Sequence, residues 1–154
     1  MNLYHLKPVI SEFQLAHEAV VGIWLEKSTV VDFLEQYGIG TVEFERAYVH
    51  QLVRDLIPMV SRKFECHEWP AFAAFLEAMY AREVRHHDLH RIFSVLKEVF
   101  IGLIGAESAH LVIHPIFNHD KIIIDLHRVF DYFQHKVLKF YTEKAHLGAV
   151  RSSE

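Results

Sequence analysis

Only one cysteine, Cys66, occurs in the 154 residues, so no internal disulfide can form and the chain suits a reducing cytoplasm. Glycine (6) and proline (4) are sparse, and no stretch rich in Gly, Ser or Pro divides the chain. That leaves one domain, long enough to bury a substantial core. Basic residues never cluster. With 16 Lys and Arg against 20 Asp and Glu, the formal charge is −4, which argues against a nucleic-acid partner. The longest apolar run, Val99 to Ala106, falls far short of the roughly 20 residues of a membrane-spanning helix. The opening MNLYHLKPVISEF lacks the apolar centre of a secretory signal. A soluble cytoplasmic domain without membrane contact is the expectation.

Enzyme signatures are missing as well. There is no G-x-S-x-G, no P-loop and no Gly-rich dinucleotide fingerprint. His17-Glu18 and His67-Glu68 lack the second histidine of H-E-x-x-H. Cys66 stands beside His67, but nothing in the sequence supplies an orienting group or oxyanion hole. The chain reads as a non-enzyme.

What is present is helical periodicity, twelve phenylalanines and thirteen histidines. Ser11 and Gln14 fit an S-x-x-Q capping box, followed by Phe13, Ala16, Val20, Ile23 and Trp24 on one face to about Lys27. Ser28 or Thr29 could cap a short helix that Gly38 ends. Thr41 opens the next, with Phe44, Tyr48, Leu52, Leu56 and Val60 stepping by four. Pro58 should kink or stop it near its last turn. Pro70 suits a first helical position, ahead of Phe72, Phe75, Leu76, Met79 and Tyr80.

A corner with His86, His87 and His90 follows. Asp88 is a plausible cap for a helix along Leu89, Ile92, Phe93, Leu96, Val99, Phe100 and Leu103. Gly105 to Asp120 suggests a short turn of helix and a loop. From Lys121 to about Leu147, Ile123, Leu126, Phe130, Phe133, Val137 and Phe140 alternate steps of three and four. Ile122, Ile124, Val129 and Tyr141 fall on other faces of this helix, which favours a homodimer. Residues 148–154 read as a flexible tail or the start of a linker. The fold class is all-α, a single domain of about five to six helices.

Three stretches carry a family resemblance: Ile23-Trp24-Leu25-Glu26-Lys27; Ala81-Arg82-x-Val84 followed by RIFSVLKEVFIGLI; and IIIDLHRVFDYFQHKVLKFY. Over about Glu12 to Lys144 the chain resembles the N-terminal sensory domain of RsbR-type stressosome proteins, a divergent globin related to globin-coupled sensors. Where that family often has a glycine near the corner, this chain has His86 and His87. The resemblance implies a globin-like sensor domain over residues 1–147, acting as an input module for stress signalling. It also implies stressosome partners with STAS domains and a partner kinase.

A globin-type site would take haem b, with one imidazole reaching iron from an apolar wall. On that reading a helix ending at His86–His87 presents His86 as the axial ligand, with His87 as substitute. His50 and Tyr48 would lie on the far side, packed by Phe44 and Trp24. Oxygen or another diatomic gas would be the signal. Two other readings stand beside it. One is a haem-free interaction module whose cavity is filled by side chains. The other is a His-rich metal bundle using His86-x3-His90 and His110-x3-His114. Helix-terminal histidines also occur without any ligand, because a helix C-terminus favours positive charge. His127 and Asp131 could form an i,i+4 pair, and His135 lies one further turn along.

Overall fold

The computed structural model describes residues 1–105 and 111–153. Among them every regular element is helical and no strand occurs, so the fold is all-α. The α-helices are α1 (Ile10–Leu15), α2 (His17–Leu25), α3 (Ser28–Gln36), α4 (Thr41–Phe44), α5 (His50–Ser61), α6 (Pro70–Ala81), α7 (His86–Gly105) and α8 (His119–Ser153). A π turn, Glu45–Val49, joins α4 to α5 in one rod. Counted that way, seven helices stand where five to six were expected.

The extra helix comes from a break at Ala16, whose ψ of −2° lies off the helical value. There the His17 ring bonds the Gln14 carbonyl at 2.7 Å, a local side-chain contact that competes with the helical ladder. Neither expected N-terminal cap forms as read. Val9 precedes α1 and Lys27 precedes α3, both without a side-chain capping bond, so Ser11 and Ser28 lie inside the first turns. The glycine stop does form. Gly38 adopts φ +62°, Ile39 N–H donates to the Leu34 carbonyl at 2.9 Å, and Gly38 N–H to Glu35 at 3.2 Å. Pro58 sits inside α5, and the helix ends three residues later at Ser61, whose hydroxyl donates to the Pro58 carbonyl at 2.7 Å. Pro70 opens α6 as expected.

The α7–α8 pair is the spine of the molecule. α2 and α3 pack on α7, while α5 and α6 pack on α8. Every position read as the core face of α7 is buried, from Leu89 through Leu103. α8 differs from expectation in three ways. It begins at His119 and continues through Ser153, beyond the expected span of Lys121 to about Leu147. Ile122 and Val129, expected on a second apolar face, are fully buried in the chain's own core. The large apolar residues it does expose are Ile124, one of those expected off the seam, and also Leu138 and Leu147, beside exposed His127, Asp131 and His135.

The N-terminal segment is tied to this spine. Asp125, buried on α8, accepts backbone N–H groups from His5 (3.0 Å) and Leu6 (3.1 Å). Leu3, Leu6 and Val9 are buried beside it. No helix among the described residues is long and apolar enough to cross a membrane.

Candidate functional site

The bend between α6 and α7 is where the chemistry gathers. α6 stops in a left-handed cap without glycine: Glu83 takes φ +60°, and Val84 N–H donates to the Met79 carbonyl at 3.0 Å. The Arg85 carbonyl then accepts N–H bonds from Asp88 (3.1 Å) and Leu89 (3.3 Å), starting α7. His86 and His87 therefore open α7; they do not end the preceding helix. This corrects the electrostatic reading, because a helix N-terminus opposes positive charge on imidazole where a C-terminus would favour it.

Asp88 is likewise not the cap. It lies within the first turn of α7, only 8% exposed, and accepts a hydrogen bond from the Tyr37 hydroxyl. Tyr37 oxygen also accepts the Arg85 N–H at 3.2 Å, and the His87 ring lies 3.3 Å from the other Asp88 oxygen. Burial is the main cause that raises the Tyr37 pKa; the Arg85 N–H works against it and Asp88 with it. Thus the end of α3 is bolted to the bend through a phenol and a carboxylate.

On the other side of the bend lies an open groove of about 670 Å³, walled by Tyr80, Val84, Arg85, His86, His87 and Tyr141, with Glu83 at its edge. The Tyr141 hydroxyl donates to the Val84 carbonyl at 2.8 Å. Its ring lies 6.0 Å from His86 and 5.4 Å from Tyr80. Burial lowers the His86 pKa, and neighbouring His90 and His87 push the same way, so His86 is a neutral imidazole near pH 7. Burial raises that of Tyr141, which remains a hydrogen-bond donor.

The residues expected on the far side of a pocket are elsewhere. Trp24 is 2% exposed, donates from Nε1 to the Ile92 carbonyl at 2.8 Å, and stacks on Phe93 at 6.0 Å. Phe44 touches Trp24 (6.2 Å) and Phe75 (6.2 Å), and Tyr48 packs edge-on to Phe75 (5.6 Å). Trp24, Phe44 and Tyr48 are thus brought together, but as a ring-on-ring core. His50 bonds Glu45 at 3.0 Å and lies against His17, away from that core. None of these four lines the groove of His86 and His87. The two walls meant to grip haem do not face one space, so the residues do not fit a haem held between them.

Among the described residues, no three His, Cys, Asp or Glu side chains are grouped to hold a metal. His86 and His90 have ring centres 6.4 Å apart. His110 lies outside the described residues; His114 is exposed, its Nδ1 accepting the Ile116 N–H at 3.1 Å. Burial pushes the Cys66 thiol up, and Glu143 and Glu77 add to it, which keeps this sulfur protonated.

Tyr37, Val84 and Tyr141 complete the corner and were not picked out as site residues from sequence. Their signal was present only in part: Tyr141 falls four residues after buried Val137, but nothing local announces that its hydroxyl meets a carbonyl 57 residues earlier. Comparison with protein-family models, curated proteins and solved structures finds no match to this chain.

Proposed function

We propose that this chain is a haem-free sensory and interaction domain of the stressosome input type, binding its signal at the α6–α7 bend and signalling by repacking of α8 across a homodimer. One observation carries the reading: the groove that contains His86 shares a wall with α8. Tyr141 is at once groove lining and the hydrogen-bond partner of Val84, so a ligand that displaces the bend changes how α8 is held. A ligand shifts such an equilibrium only through unequal affinity for two packings. The groove offers such a ligand imidazole, guanidinium and phenol groups on its wall. The aromatic core of Trp24, Phe44, Phe75 and Phe93 supports the haem-free form over the gas-sensing one, since those rings fill the space between helices. STAS-domain partners and a partner kinase belong to this proposal through the resemblance of IWLEK, the Ala81–Val84 bend and the α8 sequence.

The test is spectral and hydrodynamic. Purified domain is mixed with hemin, reduced, and its absorption and sedimentation recorded. The expected result is no protein-dependent Soret band and a dimer whose affinity changes in Tyr141→Phe. A Soret band lost in His86→Ala would replace this reading with gas sensing. A chain that stays monomeric at high concentration would overturn signalling across a dimer.

A further inference from the structure

A second place in the molecule has the chemistry of a binding site, and it lies away from the bend. In an α-helix, residues five apart point about 140° away from each other. The π turn of Glu45–Val49 widens one turn of the α4–α5 rod, and this brings Glu45 and His50 onto one face. Glu45 Oε1 lies 3.0 Å from His50 Nε2. A carboxylate only accepts hydrogen bonds, so in the neutral ring Nε2 carries the proton and Nδ1 has the lone pair.

Directly opposite, on α2, stands His17. Its Nδ1 lies 2.7 Å from the Gln14 carbonyl, another pure acceptor. In the neutral ring that puts the proton on Nδ1 and the lone pair on Nε2. Both imidazoles are half-buried, and their ring centres lie 6.0 Å apart with planes at 88°. Two imidazoles on one Zn²⁺, at roughly 2.1 Å per Zn–N bond and a tetrahedral angle, hold their ring centres about 5 Å apart. The observed ring separation is about 1 Å wider than in that geometry.

We infer that His17 and His50 together ligate a transition-metal ion, with Zn²⁺ the natural occupant, and so clip α2 to the α4–α5 rod. Each ring already has the outer contact that metal-binding histidines show, one to a carboxylate and one to a backbone carbonyl; such contacts fix the tautomer and raise ligand basicity. Imidazole suits Zn²⁺, Cu²⁺ and Ni²⁺ rather than Mg²⁺ or Ca²⁺, which prefer oxygen. Water fills the remaining positions, since no third protein ligand among the described residues is grouped with the pair. The inference is independent of any ligand at the bend.

The experiment uses the full chain, stripped with EDTA and dialysed, then titrated with ZnCl₂ by calorimetry and followed by thermal unfolding. One Zn²⁺ per chain should bind and raise Tm. The dissociation constant should weaken by at least about tenfold in both His17→Ala and His50→Ala. A His86→Ala/His90→Ala double variant should bind as the parent does. Circular dichroism of the metal-free variants checks their fold. If alanine unfolds α2, His17→Gln, which keeps a donor for the Gln14 carbonyl, takes its place. The inference is overturned if the parent binds no Zn²⁺, if the His17 and His50 variants bind like the parent, or if the loss follows His86 and His90.

Discussion

Asp125 on α8 accepts the backbone N–H of Leu6 at 3.1 Å across 119 residues of sequence. The same carboxylate oxygen takes the His5 N–H at 3.0 Å, and Arg128 lies 3.4 Å from its other oxygen. Asp125 thereby does for the first buried turn of the chain what a capping residue does for a helix. Asp125→Ala leaves two N–H groups without an acceptor, one of them buried, and should cost about 2–3 kcal/mol. Urea unfolding measures the loss. Hydrogen exchange should show it concentrated at residues 3–9.

The Trp24 indole makes a different long-range bond, to the Ile92 carbonyl on α7. Trp24→Phe removes that donor and leaves a void between Phe44 and Phe93, at an expected cost of about 2–3 kcal/mol. The other tryptophan, Trp69, packs on Phe64 and Phe72 and keeps its indole in the variant, so its fluorescence still reports unfolding.

His86 gives stability a pH dependence of defined sign. Its folded pKa lies below the ordinary histidine value of about 6.5, chiefly through burial and then through His90 and His87. As pH falls through about 6.5 the unfolded chain takes up this proton before the folded one does, so the folded state loses ground. The contribution is intact above that pH and shrinks below it, until the folded pKa is passed. Between pH 7.5 and pH 5.5, His86→Gln should lose less Tm than the parent does. An equal or larger loss in the variant would refute the assignment.

Glu83 occupies the left-handed position that ends α6, with φ +60°. A side chain there carries a backbone penalty that glycine lacks. Glu83→Gly should therefore stabilise the fold by about 0.5–1 kcal/mol, read as a higher urea midpoint with an unchanged slope. Gly38→Ala tests the converse. No atom would contact the added methyl within 4 Å, so the loss of about 1 kcal/mol expected there is conformational alone.

The helical class was legible because burial follows period: Leu89 to Leu103 on α7 and Leu126 to Val137 on α8 face the core as their spacing requires. The stop at Gly38 and the start at Pro70 were legible because each residue has a conformational reason to be there. Each misread place has its own physical cause. His86 and His87 were put at the end of a helix because Glu83, in place of glycine, gave no stop signal. Ile122 and Val129 were put on a free face because a helix in the centre of a bundle is covered over more of its circumference than one stripe. The contacts of the bend, Tyr37 to Asp88 and Tyr141 to Val84, join residues 51 and 57 apart. No local pattern encodes such pairings.

The buried residues along the α4–α5 rod run Phe44, Val49, Leu52, Val53, Leu56, Ile57 and Val60, with one step of five and then steps of one to three. That single long step marks the surplus residue that the π turn absorbs, and it makes the segment a place where chain length can change harmlessly. Removing Arg46, which is exposed, would convert the widened turn to ordinary α geometry and leave both flanking stripes facing inward. Removing a residue from the middle of α5 has no such reserve: it would swing everything beyond it by about 100° and turn the core face outward.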